Sequence, residues 1–135
     1  MTTPFGPQLI GETEKTLNAL LARYLDEPEL TEPQWVTLRV TSMLDGTVDA
    51  DGLAAAVSDR AHFADASHIV DELTARGLLG DGRLSVAGRE LLDRLQAAIA
   101  DDTTAIFGDL PIDDVAATER VLNEIVTRAR VVLAR

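Results

Sequence analysis

Residues 60–89, RAHFADASHIVDELTARGLLGDGRLSVAGR, constrain the fold more than any other part of the chain. Ala66, Ile69, Val70 and Leu73 recur at i, i+3, i+4 and i+7, which predicts a helix from about Asp65 to Arg76 with one apolar stripe. Gly77 follows where a left-handed C-terminal cap is expected. Leu78-Leu79, Gly80-Asp81-Gly82 and Arg83-Leu84 then read as a very short hairpin. Ser85 is placed to cap a further helix reaching to about Phe107, with Leu91, Leu92, Leu95, Ala98, Ile99 and Ile106 on its buried side.

The flanks fill in the rest. Leu9, Ile10, Thr13, Leu17, Leu20, Leu21, Tyr24 and Leu25 form the stripe of a long first helix, which breaks at Asp26-Glu27-Pro28-Glu29. Thr31-Glu32-Pro33-Gln34 has the pattern of a capping box. It opens a second helix with Trp35, Leu38, Val40, Met43 and Leu44 as candidate buried positions, ending at Asp45-Gly46. Val48 suits a short bridging strand. Asp49 suits the N-cap of a brief third helix from Ala50 to Val57, followed by a turn through Ser58-Asp59-Arg60. Gly108 and Pro111 precede a last helix, striped by Val115, Leu122, Ile125, Val126, Ala129, Val132 and Leu133. The expected fold is mainly α with a small β-hairpin wing. It is a winged helix-turn-helix over 30–90 within a single domain of 1–135. Long dimerisation helices over 1–29 and 108–135 flank it, and a long connecting helix spans 85–107.

Composition narrows the function. The chain has 135 residues, 46% of them hydrophobic but only 4% aromatic, enough for one core built from Leu, Val, Ile and Ala. No apolar run approaches the roughly 18 residues that span a bilayer. The opening MTTPFGPQLIGETEK lacks a basic stretch followed by an apolar one, so neither a signal peptide nor a membrane partner is expected, and a cytoplasmic location follows. Absence of cysteine excludes disulfides, thiolate metal sites and thiol redox chemistry. The net charge is −11 and Lys15 is the sole lysine. That balance repels nucleic acid unless basic charge is locally clustered. It equally fits a saline cell interior or a GC-rich genome.

Four segments carry a resemblance to the MarR family of bacterial regulators. LTEPQW (Leu30 to Trp35) resembles that family's opening of the second helix. VDELTARGLL (Val70 to Leu79) resembles the end of its recognition helix and entry to the wing. LSVAGRELL (Leu84 to Leu92) resembles the exit from the wing, and LPIDDVAATERVLNEI (Leu110 to Ile125) resembles the closing dimer helix. The resemblance covers nearly the whole chain. It implies a homodimer, a recognition helix in the major groove of double-stranded DNA, a wing on phosphates or the minor groove, and repression relieved by a small-molecule effector.

Tested on the residues here, the implied reading helix turns Asp65, Ser67, His68, Asp71, Glu72 and Ala75 outward. The family usually has hydroxyls and arginine or lysine where this chain has Ala64, Asp65, Ser67 and His68. Ser67 and His68 retain hydrogen-bonding capacity for base edges, whereas Asp65 meets phosphate with like charge. With Arg60 and Arg83 they form the candidate DNA-binding set. The family's longer basic wing is reduced to Asp81-Gly82-Arg83, so Arg83 either enters the minor groove or holds a tight turn. Arg76 and Arg89 suit ion pairs as well as phosphate contacts. From Asp49 to Leu84 the acids Asp49, Asp51, Asp59, Asp65, Asp71, Glu72 and Asp81 outnumber Arg60, Arg76 and Arg83 by seven to three.

Tyr24, Trp35, Arg39, Met43 and Phe63 are the candidate lining of an effector pocket, with Arg39 holding an anionic group. Alternatively, Trp35 and Met43 are ordinary core residues. His62 and His68 are six apart and cannot share a face of one helix, so no metal or other cofactor is expected. No catalytic motif is present, and an enzyme is not expected. Two functions therefore stand. One is a dimeric transcriptional regulator, with DNA binding weak or ligand-controlled. The other is a winged dimer that no longer binds DNA and instead engages a basic protein through its acidic face, imitates DNA, or binds a small molecule.

Overall fold

The computed structural model describes residues 2–135. Among these residues are six helices and one antiparallel hairpin: α1 (Pro7–Leu25), α2 (Glu32–Leu44), α3 (Ala50–Ala61), α4 (Ala66–Ala75), β1 (Leu79–Gly80), β2 (Arg83–Leu84), α5 (Val86–Phe107) and α6 (Ile112–Leu133). The chain divides into two compact units, Met1–Ile99 and Ala100–Arg135.

In the first unit α2, α3 and α4 pack against one another, with α1 on α2 and the hairpin against α2 and α4. Leu38, Leu53, Val57, Leu73 and Leu92 are fully enclosed at the centre. Ala66, Ile69, Val70 and Leu73 form the buried face of α4, as their spacing predicts. Local signals set the helix ends. Thr31 Oγ1 accepts from the Gln34 N–H at 3.2 Å, and Gln34 Oε1 accepts from the Thr31 N–H at 3.0 Å, completing the capping box. The Asp49 carboxylate accepts from the Gly52 N–H at 2.8 Å to start α3. Ser85 Oγ accepts from the Gly88 N–H at 3.0 Å to start α5.

α4 stops in a Schellman motif. Gly77 takes φ +77°, its N–H donates to the Thr74 carbonyl, and the Leu78 N–H donates to the Leu73 carbonyl, each at 3.0 Å. Leu73 and Leu78 are both buried, which supplies the apolar contact of that motif.

The structure departs from the sequence expectations in four places. Ala98 and Ile106, expected on the buried side of α5, are exposed. Val48 lies outside any strand. α3 runs four residues past Val57, through Ser58-Asp59-Arg60, and stops where His62 takes a left-handed φ of 58°. Met43 is 64% exposed. The inner face of α2 is centred on Gln34, Thr37, Leu38 and Thr41, and Met43, two residues past Thr41, falls on the opposite side. Thr37 and Thr41 tolerate full burial because their hydroxyls donate to the carbonyls of Pro33 and Thr37, four residues back, at 2.8 and 2.7 Å.

Glu32 sits in the first turn of α2. Burial raises its carboxyl above the ordinary carboxylate value, and the nearby Glu14 carboxylate raises it further.

The second unit contains the end of α5 and all of α6. The turn between these helices is closed by the Gly108 N–H donating to the Thr104 carbonyl at 2.8 Å. No residue of α6 is buried, and Val115, Leu122, Ile125, Val126 and Val132 of its apolar stripe are exposed. Among the described residues no helix is long and apolar enough to cross a membrane.

Candidate nucleic-acid interface

The outward face of α4 is as the helical spacing predicts: Ser67, His68, Asp71 and Glu72 are exposed, and Asp65 precedes them at the N-cap. Ser67 and His68 therefore share a surface with three carboxylates. His68 is not isolated there. Its Nε2 lies 2.8 Å from Glu72 Oε1, one helical turn on. The other carboxylate oxygen of Glu72 accepts from Gln34 Nε2 at 3.0 Å.

The arginines in and beside this region have different fates. Arg60 lies exposed in the last turn of α3, where its charge also complements the helix dipole. Arg76 is committed internally. Its Nη2 donates to the Pro28 carbonyl at 2.8 Å and its Nη1 to the Glu29 carbonyl at 3.0 Å, so it clamps the α1–α2 loop to the end of α4. Arg89, on α5, donates to Ser42 Oγ at 3.0 Å.

Arg83 is governed by the hairpin. Asp81 and Gly82 form a two-residue turn with φ of 53° and 75°. Positive φ at both central residues matches the turn type whose twist suits a tight hairpin. Leu79 pairs with Leu84 and Gly80 with Arg83. Gly82 is buried, and a Cβ added to it would overlap the Val48 carbonyl oxygen. The turn is thus docked on the α2–α3 loop. The Arg83 side chain lies across Gly46 in that loop, where a Cβ on Gly46 would collide with the guanidinium.

The residues of the expected effector pocket separate. Trp35 is 5% exposed, and Tyr24 and Phe63 pack on the same hydrophobic core. Arg39 and Met43 are exposed on α2. Among the described residues no group of three or more histidine or carboxylate side chains is arranged to hold a metal ion.

Sequence reasoning missed Gln34 and Arg76 as long-range connectors. Gln34 was visible only as a capping residue, and the carbonyls that Arg76 binds have no side-chain signature.

Comparison with protein-family models, with curated proteins and with solved structures finds no match.

Proposed function

We propose that the chain is a homodimeric winged-helix transcriptional regulator of the MarR kind, with α4 as the reading helix. The observation that supports this best is the element order. A three-helix cluster, α2–α4, is followed directly by a hairpin and a long helix, and long helices precede and follow the cluster. α4 presents Ser67 and His68, whose groups can donate to and accept from base edges. The exposed stripe of α6 supports a second copy as its cover, because a soluble monomer rarely leaves so continuous an apolar face in water. A two-fold dimer reading one face of a duplex places its two reading helices about 34 Å apart.

A second reading is favoured by a specific observation. Asp65, Asp71 and Glu72 face outward from α4, while Arg76 is bound to the α1–α2 loop and Arg83, although exposed, lies against Gly46. On that reading the same face engages a basic protein.

Fluorescence anisotropy of labelled duplexes separates the two. The regulator binds the duplex upstream of its own gene more tightly than random duplex. Absence of DNA binding by an intact dimer at about 50 mM salt, where electrostatic attraction is strong, refutes the regulator and favours the acidic interaction module.

A further inference from the structure

The polar groups between the α1–α2 loop and the face of α4 form one unbroken chain. The Pro28 and Glu29 carbonyls accept from Arg76. Arg76 Nη1 also approaches Gln34 Oε1 at 3.5 Å. That same oxygen accepts from the Thr31 N–H, and the Gln34 amide nitrogen donates to Glu72. Glu72 holds His68. Gln34 is one of the few polar side chains buried in the chain. Its carbonyl oxygen faces the loop side and its amide nitrogen faces α4, so it cannot shift to satisfy one side without loosening the other.

We propose that this chain is a relay through which movement at the α1–α2 junction sets the state of His68 on the outer face of α4. Gln34 is its central positioning residue. The inference rests on α4 as the working face and adds how that face is controlled. With the junction in place, Arg76 and the capping box fix the Gln34 amide, which fixes the Glu72 carboxylate, and His68 is held against Glu72 rather than offered to a partner. When the Pro28 and Glu29 carbonyls move away, Arg76 loses its two acceptors. Gln34 then loses one of the contacts that hold it, Glu72 loses its fixed donor, and His68 is released. The trigger would be any change that reorients the end of α1, including closure of a dimer or occupation of a site beside α1.

The test is side-chain NMR of the full-length protein at one fixed pH. The chain has two histidines, and His62, at the end of α3, serves as the internal reference. Glu72→Gln removes the charged partner of His68 and defines the released imidazole resonance. The relay requires Arg76→Met to move the His68 resonance in the same direction while His62 stays in place. A His68 resonance that moves in Glu72→Gln but not in Arg76→Met overturns the relay, because the pair is then purely local. If Arg76→Met fails to fold, Arg76→Lys keeps the charge but not the fork that binds two carbonyls, and the same criterion applies. DNA anisotropy of the same variants keeps the two ideas apart. A His68 response without DNA binding by any variant refutes the regulator and leaves the relay standing.

Discussion

Replacing Gly82 with alanine decides whether the hairpin is docked or free, and Gly77 provides the comparison. Both glycines have nearly the same backbone conformation, φ +75° and +77°. An alanine at either site bears the cost of a left-handed conformation, about 1 kcal/mol. At Gly77 nothing lies within 4 Å of an added Cβ, so that strain is the whole effect. At Gly82 the methyl group would overlap the Val48 carbonyl, with the Val48 and Asp49 carbonyl carbons close behind. These atoms belong to the backbone and cannot rotate aside. The turn must lift off the α2–α3 loop, adding an overpacking cost of about 2 kcal/mol. Gly77→Ala should therefore destabilise by about 1 kcal/mol and Gly82→Ala by about 3 kcal/mol. Urea unfolding followed by far-UV circular dichroism, at one fixed protein concentration, resolves a difference of that size. Equal losses for the two variants would refute the docked hairpin, since a turn projecting into solvent gives Gly82 the same open surroundings as Gly77.

Three further outcomes follow from particular contacts. Thr31→Ala removes the acceptor for the Gln34 N–H and should cost about 1 kcal/mol in the same unfolding assay. Glu32 carries a folded-state carboxyl raised above its ordinary value of 4.5, so folding favours its protonated form. That contribution is complete at pH below the ordinary value and is lost as pH rises through the raised one. Glu32→Gln should therefore gain stability relative to the parent as pH goes from about 4 to about 7, and a flat or falling difference would contradict the assignment. If α6 closes the proposed dimer, Ile125→Glu places a charge on its exposed stripe and should shift sedimentation from dimer to monomer without loss of helix content.

What the sequence made legible was short in range. The Thr31–Gln34 box, the Asp49 and Ser85 caps, the Gly77 stop and the two-residue turn at Asp81-Gly82 are each written within about five consecutive residues. They could be read because a cap or a turn type depends on neighbouring backbone groups. The face of α4 was legible for the same reason, since the 3.6-residue period puts Ile69 and Leu73 on one side of the helix and His68 and Asp71 on the other. Met43 was misplaced because an apolar residue was assumed to face inward, whereas α2 turns two satisfied threonines toward the core instead. The extra turn of α3 was missed because Ser58 and Asp59 read as turn residues, although neither stops a helix already packed through Leu53 and Val57. The partners of Arg76, 47 and 48 residues away, and the seat of Gly82 on Val48 arise only when separate elements are brought together.

These tertiary contacts also change what the charge of the proposed reading face means. Counted along the sequence, the region offers three arginines for phosphate. In the folded chain Arg76 is held by two carbonyls and Arg83, although exposed, lies against Gly46, which leaves Arg60 on each protomer of the proposed dimer as the exposed arginine of the three that is least tied to the fold. Each phosphate neutralised contributes a slope of about −0.9 to log K against log salt. Two protomers contributing one arginine each give a slope of about −2. A regulator built this way must rely on hydrogen bonds and duplex shape more than on counterion release, and should discriminate sequences while binding all of them weakly. The slope is thus more informative than the affinity. A value near −2 that falls further in magnitude with Arg60→Ala places the contact at α3–α4. A slope several times steeper would require cations from outside this face and would refute α4 as the main contact.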